Sequence, residues 1–250
     1  MKIAITFDIE RDLPQVLDTF NGITKGIPKI LKLLEKFEIK ATFFCTRRVA
    51  HKYASYVRLI ESNDHEIACH GWNHERLSDL PFEKSFQLIK KSKKMLQETC
   101  ENSEVVGFRS PYLSPPEKLF EILNDLDFKY DSSITSKKKT MELERKKEKI
   151  KEFNPSKRSG YFRFPLANKK LKKGKFCDNL LVLYFHPWEF LNITSLLRHQ
   201  STKAILLKNL LIRPDRWIST GSSFEKRFSN LINTYYSHNY NFITLAQLCS

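Results

Sequence analysis

The sequence lacks any apolar run near the roughly 20 residues that a bilayer-spanning helix needs. It also lacks the extended apolar core and small-residue cleavage site of a secretory leader, because Met1-Lys2-Ile3-Ala4-Ile5-Thr6-Phe7 goes directly into a strand pattern. Its five cysteines, at 45, 69, 100, 177 and 249, contain no C-x-x-C pair. An odd, scattered set fits reduced thiols better than a disulfide framework. These absences predict a soluble, cytoplasmic protein. Acidic residues are few beside basic ones, 28 against 43, for a net charge of +15. Such a field attracts anionic partners of any kind, nucleic acid, lipid head groups or acidic glycans, without choosing among them.

What is present is enough for a folded core. The 250 residues are 41% hydrophobic and 12% aromatic, which excludes a disordered chain. Ile3, Ile5, Phe7 and Ile9 alternate with smaller or polar neighbours and predict a first strand over 2–9. Ile27, Ile30, Leu31 and Leu34 recur at helical spacing and predict a helix over about 24–38. Strand-like runs follow at 41–46, 66–69, 105–109, 129–134 and 180–185, with helical patterns at 52–62, from Pro81 to about Cys100, and at about 223–237. Ser114-Pro115-Pro116-Glu117 combines a capping box with proline at the first helical position and predicts a helix start near 115. A final strand is expected around 241–244. Repeated strand-then-helix units imply parallel strands with right-handed crossovers, and six or seven of them suggest one α/β barrel domain over 1–250.

Two segments break this rhythm. Residues 136–152 hold Lys137-Lys138-Lys139 and Arg145-Lys146-Lys147 with few apolar residues and read as a charged, solvated excursion. Residues 189–217 read as an inserted segment, in which Ala204 to Leu207 and Leu210 to Ile212 are expected to form an apolar helix packed on the domain, with a lid or membrane-touching element as the alternative.

Chemistry in parallel α/β folds gathers at the carboxyl ends of strands. The first strand ends with Asp8 and Glu10, two apart and therefore on one side of an extended chain. The third ends with His70, after which Gly71 lets the backbone bend toward His74. The others end with Arg109-Ser110-Pro111-Tyr112, with Asp131, and with His186-Pro187-Trp188-Glu189. Two imidazoles and one carboxylate with open positions make a catalytic rather than a structural metal site. A separate carboxylate can take a proton from water, and His186 can protonate a leaving amine, which describes amide or ester hydrolysis.

Taken together, Thr6-Phe7-Asp8, His70-Gly71-Trp72-Asn73-His74, Arg109-Ser110-Pro111-Tyr112, Tyr130-Asp131-Ser132-Ser133 and Leu183-Tyr184-Phe185-His186 resemble, in order, the five motifs of the polysaccharide deacetylases of carbohydrate esterase family four. The resemblance implies a distorted (β/α)7 barrel, a divalent metal, often zinc, and removal of N-acetyl groups from amino sugars. It implies Asp8 as general base, His70 and His74 as metal ligands and His186 as general acid. Arg109 would hold Asp8 ionised, and the backbone N–H of Tyr112 would face the oxyanion. The family's usual second aspartate is absent from the first strand, so Glu10 becomes the third ligand, with Asp8 its competitor. Asp131 is expected to orient His186, with Glu189 as a rival. The substrate is expected to be an N-acetylated sugar or glycan, with contact to an anionic surface or lipid-linked carrier suited to the basic charge. No specific nucleic acid is expected. Two other readings remain: hydrolysis of a non-sugar C–N bond on the same scaffold, and a non-catalytic basic binding protein.

Overall fold

A computed structural model describes residues 1–13, 16–134, 149–156, 158–162, 180–198 and 216–249. The strands are β1 (Lys2–Ile9), β2 (Thr42–Cys45), β3 (Glu66–Cys69), β4 (Gly107–Phe108), β5 (Tyr130–Asp131), β6 (Lys151–Glu152), β7 (Leu180–Phe185) and β8 (Asn241–Phe242). They lie in the order β6-β5-β4-β3-β2-β1-β7, every pairing parallel, with β8 added at the start of β1. A parallel bridge between Pro155 and Val182, with Ser156 N–H donating to Val182 O at 2.8 Å, joins the chain beyond β6 to β7. The sheet therefore closes as a distorted (β/α)7 barrel.

Side-chain alternation along β1 sorts the two layers. Ile3, Ile5, Phe7 and Ile9 enter the large outer core between strands and helices. Ala4 joins the small barrel interior with Phe44, Ala68, Val106, Tyr130, Val182 and Leu245. Thr6, Asp8 and Glu10 share the parity of Ala4 and climb the inner face toward the carboxyl end. The interior is tight at Gly107, where a Cβ would lie 2.0 Å from the Tyr130 ring.

The helices that cover this barrel are α1 (Ile27–Lys36), α2 (Arg47–Lys52), α3 (Ala54–Glu61), α4 (Phe82–Thr99), α5 (Leu119–Asp125), α6 (Arg158–Tyr161), α7 (Ile193–Arg198) and α8 (Ser222–Tyr236). Amphipathicity places them: α1 buries Ile27, Ile30, Leu31 and Leu34, and α8 buries Phe224, Phe228, Leu231 and Ile232. None of the described helices is long and apolar enough to cross a membrane.

Three expectations change. The helix expected near 115 begins at Leu119, behind Lys118 in a left-handed conformation. Ser114 is spent elsewhere: its hydroxyl pairs with Ser78 Oγ at 2.7 Å and its carbonyl accepts the Ser78 N–H, so it caps nothing. The charged excursion ends earlier than 152, because Ile150 is buried and 151–152 form β6; residues 136–148 lie outside the described residues. Within the expected insertion, residues 187–190 form a 3-10 turn and α7 follows. The apolar helix expected around 204–212 also lies outside the described residues.

Candidate active site

The carboxyl end of the barrel opens into a pocket whose floor holds Asp8, Glu10, His70, His74 and His186. Glu10, His70 and His74, all buried, bring one ligand atom each within 4.8 Å of one another. Local backbone arranges this: Gly71 takes φ 76°, and His74 itself takes φ 69°. Positive φ is costly for a histidine, and such strain persists where surrounding structure demands it. The two rings consequently stand with centroids 5.3 Å apart.

Hydrogen bonding assigns the free nitrogens. His70 Nδ1 meets the Arg109 carbonyl at 2.8 Å, and since a carbonyl only accepts, Nδ1 carries the proton. Its Nε2 lone pair then faces Glu10 Oε2 at 3.6 Å. His74 Nε2 contacts the same Glu10 oxygen. Neither contact makes a hydrogen bond of good geometry, and Glu10 Oε2 has no other partner in its buried place, a costly state for a polar atom. A divalent cation fits this set. Two imidazoles and a carboxylate are the donors that zinc prefers, and the Arg109 carbonyl supplies the outer bond that usually fixes a ligating histidine.

Asp8 lies outside that triad because Arg109 holds it. Arg109, fully buried, donates from Nη1 to Asp8 Oδ1 at 2.7 Å and to Thr6 Oγ1 at 2.8 Å. Its Nε and Nη2 reach Ser132 O and Oγ at 3.0 and 2.8 Å, and its plane lies 4.0 Å from the Phe44 ring centroid. Burial works to raise the Asp8 pKa, but Arg109, followed by His70 and His186, outweighs it and holds the carboxyl below its ordinary range. Glu10 is likewise depressed, burial being overcome chiefly by His74.

His186 ends β7 and faces Glu10 Oε1 across 3.7 Å from its Nε2. Its Nδ1 lies 3.2 Å from Glu189 Oε1, and its backbone N–H donates to Glu189 Oε2 at 3.3 Å. Trp188 stacks on the His186 ring at 5.1 Å and is itself buried.

Asp131, expected to orient His186, is turned to other work. Its carboxylate accepts the Ser133 N–H at 2.8 Å and the Ser133 hydroxyl at 2.6 Å. Ser133 Oγ in turn accepts the Ser110 N–H at 2.8 Å. Asp131 thus braces the strand end that carries Arg109, and burial pushes its pKa up. The rival, Glu189, occupies the place beside His186, because a residue three positions along the same tight turn reaches the imidazole without crossing the barrel.

Tyr112 sits at φ 60°, and its ring meets His74 edge-on with centroids 4.3 Å apart. Four pocket residues received no role from the sequence: Arg76, Leu113, Tyr184 and Arg216. Thr6 and Ser132, which hold Arg109, stood inside the quoted motifs, so their position was the only signal available.

A family model described as polysaccharide deacetylase matches residues 1–131. A peptidoglycan deacetylase of Helicobacter pylori is 26% identical over 109 residues, 44% of this chain and 37% of that protein. A chitooligosaccharide deacetylase of Azorhizobium caulinodans is 28% identical over 99 residues, 40% of this chain and 47% of that protein. The chain thus spans under half the length of these curated relatives. Among solved structures, a CE4 family pseudoenzyme from Bacillus anthracis shares the fold at TM-score 0.61 and 14% identity, covering 99% of this chain and 65% of its own. With the family model spanning more than half of the sequence and the fold in agreement, this chain belongs to the polysaccharide deacetylase family.

Proposed function

We propose that this protein is a metal-dependent hydrolase that removes N-acetyl groups from amino sugars of a glycan or glycoconjugate. The observation that carries the reading is the convergence of a buried Glu10–His70–His74 triad with an ion-paired Asp8 and a carboxylate-supported His186 in one pocket. The names of the deacetylase relatives supply the substrate class. In this reading Glu10, His70 and His74 hold a zinc ion, which when bound polarises the acetamide carbonyl and acidifies a water.

The chain's own groups do the rest. Asp8, kept ionised by Arg109, accepts the proton of the attacking water. The Tyr112 backbone N–H donates to the oxyanion as it forms. His186, steadied by Glu189, delivers a proton to the amine nitrogen as the C–N bond breaks, leaving acetate and a free amino sugar. Cys45, Cys69, Cys100 and Cys249 are all free thiols, which supports work in the reducing cytoplasm.

A hydrolase of a non-sugar C–N bond would use the same groups, and only substrate trials separate the two. The fold likeness to a pseudoenzyme keeps the non-catalytic reading in view. The complete set of acid, base and ligand side chains in this pocket weighs against it. Metal analysis of the purified protein and acetate release from a panel of N-acetylated sugars form the test. One equivalent of zinc is expected, with release falling by at least ~10²-fold in Asp8→Ala and His186→Ala. Metal-loaded protein that releases no acetate from any sugar of the panel would sink the proposal.

A further inference from the structure

The three candidate metal ligands stand at the ends of two different strands, and one turn ties those ends together. Thr46, Arg47 and Arg48 follow β2 directly, and their backbone N–H groups point at both neighbours. Thr46 N–H donates to Ile9 O at 3.2 Å, beside Glu10. Arg47 N–H donates to Gly71 O at 2.9 Å and Arg48 N–H to Trp72 O at 3.0 Å, both between His70 and His74. His70 N–H completes the tie by donating to Cys45 O at 2.9 Å. The 70–74 loop needs such holding, because Gly71 and His74 both take positive φ, a conformation that a histidine keeps only where its surroundings fix it.

Of the side chains on this turn, Arg47 is the one that grips the loop. Its guanidinium carbon lies 4.2 Å from the centroid of the Trp72 ring. Its Nε is buried without a hydrogen-bond partner, so the aromatic face, and not a polar acceptor, holds that part of the group. The neighbouring side chains are engaged elsewhere. Thr46 Oγ1 faces Ile9 O and the Val49 N–H, each at 3.4 Å. Arg48 reaches Asp18 at 3.5 Å and lies over Phe20. Trp72 stands midway between the two histidines in sequence, so a clamp on its ring acts on the middle of the ligand loop.

Resting on the metal-dependent deacetylase reading above, we propose that Arg47 is a positioning residue. Clamped on Trp72, it holds the 70–74 loop in the strained form that brings His70 and His74 to Glu10, and so sets the affinity for zinc. The clamp works by ordering the loop before the ion arrives.

The test is zinc affinity, read by competition with a chromophoric chelator on the full protein. Arg47→Gln and Trp72→Leu are each expected to weaken zinc binding by ~10- to 100-fold, as loss of an outer support of a ligating histidine does. The double variant should lose little more than either single one, because a clamp opened from one side is already open. Trp72→Phe, which keeps a ring under the guanidinium, should retain most of the affinity. Arg48→Gln, on the same turn but directed at Asp18, should leave it unchanged. At saturating zinc the kcat of Arg47→Gln should return to within several-fold of wild type, a recovery that general damage to the fold would not allow. Wild-type zinc affinity in Arg47→Gln, or losses that add in the double variant, would overturn the inference. Arg47-dependent zinc binding without acetate release would keep it and reject the deacetylase reading. Acetate release with a zinc affinity indifferent to Arg47 would do the reverse.

Discussion

Glu189 Oε1 stands 3.2 Å from His186 Nδ1, on the turn that follows the strand end bearing that histidine. Both oxygens of this buried carboxylate serve His186, one on the ring and one on the backbone N–H. Glu189→Ala should therefore lower kcat on the order of 10- to 100-fold, less than the ~10²–10⁴ expected for loss of the acid itself, with little change in KM. Glu189→Gln, which keeps an acceptor, should recover part of it. Asp131→Asn should leave kcat far less affected and lower stability instead, since the partners of its carboxylate are Ser133 and Glu152 rather than His186. Steady-state kinetics beside urea titrations would separate these outcomes.

Glu10 and not Asp8 shares the reach of His70 and His74. Glu10→Gln and His74→Ala should each bring bound zinc well below one equivalent after dialysis, while Asp8→Asn should keep close to a full equivalent and lose activity. Atomic emission on the purified variants reads the metal directly. Retained zinc in Glu10→Gln together with lost zinc in Asp8→Asn would exchange the two assignments.

Arg109 is fully buried and is the cation that matches Asp8. Arg109→Met would strand a buried carboxylate, a change that typically costs about 3–5 kcal/mol. Adding Asp8→Asn to Arg109→Met should recover a measurable share of that loss, because the uncompensated charge goes with it. Urea denaturation of the two single variants and the double variant measures the coupling.

His65 gives a pH dependence far from the pocket. It is buried, its Nδ1 accepts the Ala41 N–H at 3.3 Å and its ring packs on Phe43. Burial, aided by Lys40, lowers its pKa from 6.5 to about 4. The folded state thus favours neutral imidazole, and between those two values the unfolded chain binds more protons. Its contribution is complete above pH ~6.5 and is lost as pH falls toward ~4, by a few kcal/mol in total. His65→Asn, which keeps an acceptor for Ala41, should flatten the stability profile across that window. An unchanged slope would contradict the assignment.

Gly107 has no room for a side chain, since a Cβ would meet the Tyr130 ring at 2.0 Å. Gly107→Ala must push that ring off Glu66, whose carboxylate accepts from the Tyr130 hydroxyl inside the barrel. A loss of at least ~1–3 kcal/mol follows from overpacking alone. Thermal denaturation should show a clear fall in Tm.

Much of this protein was legible from local pattern. Alternation along 2–9 determined that Ile3, Ile5, Phe7 and Ile9 face the helices while Thr6, Asp8 and Glu10 face inward. Helical spacing marked α1 and α8, and the strand-end positions of His70, Arg109 and His186 followed from where apolar runs stop. Side-chain period and strand length are properties of a few consecutive residues, so the sequence alone carries them. Tertiary structure decided what depends on competition between distant partners. Asp8 is drawn to Arg109, 101 residues away, which leaves Glu10 to the histidines. Ser114 is drawn to Ser78 and the helix start moves to Leu119. Asp131 is drawn to Ser133, so His186 takes Glu189. In each case several groups could satisfy one another, and only the folded chain sets which of them are near enough to do so.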